Sequence, residues 1–344
     1  MIKQSPSKIK TGSPENFISH AQISGIGIAL PEKIITNFDL AKTLDTSDEW
    51  IAARTGIHER RIGDKNTATS DLCVTAAQQA LQEAEISGSD LNLIIVCTVT
   101  PDNPVPSTAC LVQERLGAKQ AGAFDLSAGC TGFMYGLTVG SQFIETGFCQ
   151  KILVLGADML SKITDWNDRS TAILFGDGAG ALVLTPSHAE KSGLLKFRLK
   201  ADGSGASFLM VEAGGTRSPA CEETVKNRKH YLKMEGKPVF KFAVNAILDG
   251  VTGVLKEENL TVDDIDCFIF HQANIRIMEN AAKQLKIPME KVFTNVGRYG
   301  NTSSASVPLA LYEARQEKKF TTGSYVLMVG YGAGLTWGSA LMRW

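Results

Sequence analysis

The chain has 344 residues, 44% of them hydrophobic and 21% charged, with a formal net charge of −1. That length can bury one large core or two smaller ones, and the near-zero charge excludes a global pull toward nucleic acid or an anionic membrane, so any anion recognition must be local. Seven cysteines, an odd number with no CxxC pair, fit neither a metal site nor a disulfide framework; several lie in apolar runs, as Cys97 does in LIIVC, and read as reduced core residues of a cytoplasmic protein.

Residues 1–19 form a polar leader with three lysines and two prolines and no apolar signal core. No run of about 18 apolar residues follows, so no membrane span is expected. Residues 22–30 read as the first strand, 37–44 and 48–55 as helices with Asp and Ser capping chemistry before them, and 70–85 as a longer helix. Residues 93–98 form a near-continuous apolar strand of the kind covered on both faces. A proline-rich loop, 100–107, leads to a helix at 108–116, a short buried strand at 122–126 and an amphipathic helix at 133–147. Residues 151–157 read as another buried strand, and 177–184 as a turn feeding a strand.

The second half follows the same order. Residues 193–201 read as a strand, 239–258 as a long helix, 265–270 as a buried strand like 93–98, and 275–285 and 305–316 as helices. Strand 325–329 matches 151–155, and 338–343 matches 180–184. The order strand, helix, strand, helix, strand, strand occurs twice, which implies an internal duplication meeting near residue 190. Alternating strands and helices imply two mostly parallel sheets sandwiched by helices, with sites at the C-terminal ends of strands.

The stretch AFDLSAGCTGFMY at 123–135 is the centre of the functional argument. Cys130 sits between a strand and a helix, flanked by Gly129 and Gly132, where a sharp elbow can lift one side chain out. A cysteine at a helix N-terminus feels the positive end of the macrodipole, which favours the nucleophilic thiolate. His271 ends an apolar strand and opens the polar turn HQAN, residues 271–274. Asn301 follows glycine in RYGNTSSASVP, residues 298–308, before a helix of small residues. Glycines in GYGAGLTWG, 330–338, permit a tight bend or expose backbone N–H groups to an oxyanion. Cys, His and Asn on three strand ends make a nucleophilic set. Papain-type proteases use the same residue types, but their local cysteine signature is absent. In a hydrolase the Asn orients the His; alternatively both donate to one carbonyl oxygen and stabilise an enolate.

Six motifs in order, EWIAARTGI at 49–57, the Cys130 elbow, FGDGAG at 175–180, HQAN at 271–274, YGNTS at 299–303 and GLTWG at 334–338, resemble the thiolase-fold condensing enzymes, most closely β-ketoacyl-acyl-carrier-protein synthase III. The resemblance covers residues 20–344. It implies an α/β, thiolase-like duplicated fold with two mixed sheets in a five-layer α-β-α-β-α sandwich, residues 20–190 carrying the cysteine and 191–344 carrying His and Asn. It implies that Cys130 takes an acyl group from acyl-coenzyme A, with the backbone N–H groups of Cys130 and Ala333 as the oxyanion hole; relatives often have glycine where Ala333 stands. His271 and Asn301 would hold the thioester oxygen of malonyl-acyl-carrier protein during decarboxylation. Trp50 and Arg54, with Arg169, match the group that holds the adenine of coenzyme A, and Asn274 the residue at the pantetheine arm. Lys241 and Arg276 match positions that meet the acidic carrier protein. Coenzyme A is then a substrate, and neither cofactor nor metal is implied. Val105 stands where close relatives carry a bulky aromatic, on a loop that in the family crosses a homodimer interface into the partner's acyl pocket. The set is compatible with the initiating enzyme of fatty-acid synthesis or with a condensing enzyme of secondary metabolism using a different starter. A thioester hydrolase and a non-enzymatic carrier-docking scaffold are the other readings; the scaffold would not need the three site residues.

Overall fold

The strands that read as unbroken apolar runs lie in the middle of two sheets, covered on both faces. A computed structural model describes residues 20–187, 189 and 192–344; the leader 1–19 lies outside them, as do residues 190 and 191, where the two expected halves meet. The first sheet comprises β1 (Ala21–Ala29), β2 (Leu93–Cys97), β3 (Gly122–Leu126), β4 (Ile152–Met159) and β5 (Asp177–Pro186), in the order β1-β5-β4-β2-β3. The second comprises β6 (Gly193–Ala201), β7 (Cys267–Phe270), β8 (Val292–Phe293), β9 (Tyr325–Gly332) and β10 (Thr336–Arg343), in the order β6-β10-β9-β7-β8. The two orders are the same, strand for strand.

The pairing is mixed rather than mostly parallel. β2 runs parallel to β3 and β4, but β5 runs antiparallel to both β4 and β1. The second sheet repeats this, with β7 parallel to β8 and β9, and β10 antiparallel to β9 and β6. Consecutive strands β9 and β10 are joined by a short turn, which permits only an antiparallel return. The repeat is also longer than the periodicity implies, because the counterpart of β3 is the two-residue β8.

Helices fill three layers. On the outer face of the first sheet lie α2 (Thr69–Glu83) and α3 (Thr108–Arg115), whose Ala77, Leu81, Ala109 and Val112 pack on Ile94, Val96, Leu153 and Leu155. Between the sheets lie α4 (Gly132–Glu145) and α7 (Ser306–Gln316); Phe133, Leu137, Val307 and Leu311 meet Ile95 and Val154 from one sheet and Ile269 and Met328 from the other. Outside the second sheet lie α5 (Gly236–Glu258) and α6 (Ile275–Leu285), with Ile247, Val251 and Met278 against Phe268, Leu327 and Leu341. Alternate residues of each strand therefore feed different layers. By length and composition α5 could cross a membrane, but its stripe from Ala243 to Leu255 is buried on the sheet, as in an amphipathic core helix.

Three elements differ from expectation. β3 is not buried: it pairs with β2 alone, Gly122 is exposed and the rest is half-buried, a distinction between edge and centre that a five-residue apolar run does not carry. The helix expected at 37–44 stops at Ala41. The helix at Asp48–Thr55, here α1, is capped by Ser47 and closed by Gly56 at φ 75°.

Candidate active site

The Cys130 elbow is built by two backbones in contact. Gly129 adopts φ 60°, and a Cβ there would lie 2.6 Å from the Ala333 carbonyl oxygen. A Cβ on Gly332 would lie 2.6 Å from the Cys130 nitrogen. Only glycine lets the strand-to-helix turn and the end of β9 approach so closely. Hydroxyls stitch the seam: Thr131 Oγ1 donates to the Thr336 carbonyl at 2.9 Å, and Thr336 Oγ1 lies 2.9 Å from the carbonyls of both Ala128 and Ala333. Ala333 is not among the residues with positive φ, so its side chain costs nothing there.

The thiol departs from the thiolate expected at a helix N-terminus. Burial pushes the Cys130 thiol up to about 11, and the negative charge of Asp158 adds to this, against the downward pull of the Ser303 hydroxyl and the N–H groups of Cys130 and Ala333. Loss of hydration outweighs the donors gathered around the sulfur.

His271 is 1% exposed. Its N–H donates to the Val329 carbonyl at 2.8 Å, and the Tyr331 hydroxyl donates to the His271 carbonyl at 3.1 Å. The Tyr331 ring meets the imidazole edge-on with centroids 5.0 Å apart. Ser306 Oγ lies 2.5 Å from Nδ1 and accepts the Gln272 N–H at 3.3 Å. We assign the serine proton to Nδ1, which places the ring proton on Nε2, the nitrogen left for the cavity. Burial holds the imidazole down at about 3, so it is neutral.

Asn301 is fixed at both ends. Its N–H donates to the Leu174 carbonyl at 2.8 Å and its carbonyl accepts from Gly176 N–H at 3.0 Å. The side-chain Oδ1 accepts the Ser303 N–H at 2.8 Å, so the amide presents its Nδ2 hydrogens elsewhere. Behind this turn Asp158, at the end of β4, accepts from Ser304 N–H and Oγ at 3.1 and 2.7 Å through Oδ2. Its Oδ1 receives Thr98 Oγ1 and the Val99 N–H at 3.0 and 2.8 Å, and Thr100 N–H and Oγ1 at 3.2 and 3.0 Å.

Cys130, His271 and Asn301 line one cavity of about 640 Å³, with Arg54, Asn274 and Arg276 also in its wall. Apolar walls come from Leu209, Met234, Phe240 and Leu335. Asn274 caps α6, accepting the Arg276 N–H at 2.9 Å and donating to the Arg54 carbonyl at 3.0 Å. Beside it the Trp50 ring is flanked by the guanidinium groups of Arg54 and Arg169, at 4.4 and 4.9 Å from its centroid. Trp50, Arg169, Lys241, Ala333 and Val105 are not in the lining. Lys241 is exposed on α5, and Lys237, one turn earlier, reaches the wall instead. Val105 is 84% exposed among the described residues.

Comparison with known proteins bears on the whole arrangement. A curated β-ketoacyl-acyl-carrier-protein synthase III from Natranaerobius thermophilus is 54% identical over 329 residues, 95% of this chain and 100% of the relative. The chain belongs to the β-ketoacyl-acyl-carrier-protein synthase III family. The synthase III of Caldanaerobacter subterraneus subsp. tengcongensis is 53% identical over 325 residues, covering 94% of this chain and 98% of its own. The crystal structure of 3-oxoacyl-[acyl-carrier-protein] synthase III from Aquifex aeolicus superposes with a TM-score of 0.87 at 45% identity, over 94% of this chain and 100% of that one. Family profiles for 3-oxoacyl-[acyl-carrier-protein] synthase III and for its C-terminal part match residues 124–203 and 255–344. The two blocks contain Cys130, Arg169, His271, Asn274, Arg276, Asn301 and Ala333, and leave Trp50, Arg54, Val105 and Lys241 outside. The thiolase-like five-layer fold of the synthase III enzymes is thus the fold of this chain. Sequence reasoning missed Ser306, Tyr331 and Asp158: three serines crowd 303–306, and no spacing rule tells which one meets a histidine.

Proposed function

We propose that Cys130 is the acylated nucleophile of this synthase and that His271 and Asn301 act on the malonyl thioester. The enzyme condenses an acyl-coenzyme A starter with malonyl-acyl-carrier protein, the initiating step of fatty-acid synthesis. In the first half-reaction the Cys130 sulfur attacks the thioester carbonyl. The N–H groups of Cys130 and Ala333 hold the oxyanion, the bond to the coenzyme A sulfur breaks, and the cysteine proton leaves on that thiol. In the second, His271 Nε2–H and Asn301 Nδ2–H donate to the malonyl thioester oxygen. The carboxylate leaves as CO₂, its bonding pair becomes an enolate, and the enolate carbon attacks the acyl-cysteine carbonyl. The C–S bond to Cys130 then breaks, and the sulfur regains a proton.

What supports this reading is how the two polar side chains are held. Ser306 occupies Nδ1 of a neutral His271, and Ser303 occupies Oδ1 of Asn301. A neutral buried imidazole suits an enolate oxygen and does not suit a thiolate–imidazolium pair.

The Arg54–Trp50–Arg169 stack offers a flat cationic and aromatic surface for adenine, with Asn274 beside the pantetheine arm. Arg276 and Lys241, joined by Lys237, present cations to the acidic carrier protein. A homodimer is supported by the exposed edge of β3 and by Val105, which would enter the partner's acyl pocket. We assign residues 20–190 and 191–344 as the two halves and the cytoplasm as the compartment, in keeping with seven free cysteines; neither nucleic acid nor membrane has a role in this reading.

Intact-mass spectrometry after incubation with an acyl-coenzyme A panel tests the division of labour. His271→Ala and Asn301→Ala should still gain the acyl mass while malonyl decarboxylation falls by about 10²–10³-fold. Equal loss of both half-reactions would refute it in favour of a Cys–His pair.

A further inference from the structure

Six non-glycine residues have positive φ among the described residues: Glu85, Arg228, Asn259, Lys286, Ser303 and Lys318. Five of them are exposed and follow the C-terminal ends of helices, where a left-handed residue is the ordinary way to finish. Ser303, at φ 54°, is different. It is 0% exposed and precedes a helix rather than ending one. A left-handed L residue is strained, and glycine would serve such a turn better.

The side chain supplies the reason. Ser303 Oγ is buried without a partner at full hydrogen-bonding geometry, and such a group is costly unless something is to meet it. Its own N–H is fixed on Asn301 Oδ1, and Ser304 is fixed on Asp158. A Cβ on Gly132, at the start of α4, would lie 3.8 Å from the Ser304 Cβ, so the 303–305 turn sits against the Cys130 elbow. After burial itself, the Ser303 hydroxyl is the largest influence on the Cys130 thiol, and it favours the thiolate.

We infer that the Ser303 hydroxyl is the hydrogen-bond donor that meets the Cys130 sulfur as it becomes a thiolate, and that the strained turn is kept to aim it. The inference rests on Cys130 being the acylated nucleophile. In that step the S–H bond breaks and the S–C bond to the acyl carbonyl forms. The C–S bond to coenzyme A breaks, and the proton departs on the coenzyme A thiol. Ser303 keeps its own proton throughout and supplies only the donor.

The test follows iodoacetamide alkylation of the Cys130 peptide by mass spectrometry as a function of pH, in parallel with acyl-mass gain from acyl-coenzyme A. Ser303→Ala should move the alkylation profile to higher pH and slow the neutral-pH reaction about tenfold, with self-acylation falling in step. Ser303→Gly removes the hydroxyl and the backbone strain together. It should melt at or above the wild-type temperature and still show the same loss of thiol reactivity, which a purely structural role could not produce. Alkylation profiles that coincide with wild type in both variants, with wild type acylated on Cys130, would overturn the role of Ser303 alone. A wild type that gains no acyl mass on Cys130 would overturn the nucleophile assignment, and with it this use of the serine.

Discussion

The two helices between the sheets, α4 and α7, both begin at the active site, and the turns that open them are built in different ways. The turn before α4 is held through glycine backbones in contact and two threonine hydroxyls, and it offers the cavity a sulfur and N–H groups. The turn before α7 is held by the buried Asp158 carboxylate and offers the cavity a side-chain amide whose other end is tied down. Each turn is anchored by the opposite half: Thr336 on β10 secures the cysteine elbow, and Asp158 on β4 secures the asparagine turn. The cysteine elbow and the asparagine turn are thus each braced from across the two sheets, whereas His271 is held by neighbours of its own sheet side, Val329, Tyr331 and Ser306.

The largest break in this comparison is removal of the sulfur. Cys130→Ala should lower acyl transfer by about 10³-fold or more, since no other group in the elbow can carry a thioester; intact protein that still gains an acyl mass would contradict the assignment. The anchor of the other turn comes next. Asp158→Asn should reduce malonyl decarboxylation by about tenfold or more by freeing Ser304, and destabilise the fold by about 1–3 kcal/mol. Because the Asp158 charge raises the Cys130 thiol, the same variant should be alkylated faster at neutral pH, the reverse of Ser303→Ala. Slower decarboxylation with unchanged thiol reactivity would show that the two turns are electrostatically independent.

A subtler asymmetry concerns protons. His271 titrates at about 3 in the folded protein against an ordinary value of 6.5. The unfolded chain therefore binds a proton that the native state refuses, so this residue's contribution to stability is complete above 6.5 and is lost as pH falls toward about 3. Denaturant midpoints across that window should decline less steeply in His271→Asn than in wild type; parallel slopes would count against a buried neutral imidazole. The smallest effect is expected at Val105. If the exposed loop enters a partner's pocket, a valine leaves more room than an aromatic ring, and each further buried methylene of substrate gains about 0.8 kcal/mol. Val105→Phe should shift relative rates from hexanoyl- and butyryl- toward acetyl-coenzyme A by severalfold, about one to two methylenes' worth. An unchanged chain-length profile in a folded dimer would remove the loop from the pocket.

Much of this is legible in the sequence. Cys130, His271 and Asn301 each end an apolar run or follow a glycine beside a helix, and strand-end position is local information. The repeat was visible because both halves keep the same spacing of long apolar strands. Three things were not legible, each for a physical reason. The helix after Cys130 announces a positive dipole, but the burial that outweighs it comes from elements more than a hundred residues away. Whether β3 is a centre or an edge depends on its neighbours, and its composition is the same in either case. Ser303, Ser304 and Ser306 are chemically identical in the sequence; only φ, burial and partners give one to the thiol, one to Asp158 and one to His271.

The bond between Thr131 and the Thr336 carbonyl joins residues 205 apart in sequence. Closing a loop of that span costs more chain entropy than closing a local one. On the ribosome the cysteine therefore emerges well before the strand that shapes its pocket. Thr336 opens β10 in the second sheet, so the seam that shapes the Cys130 elbow is complete only when both sheets are in place.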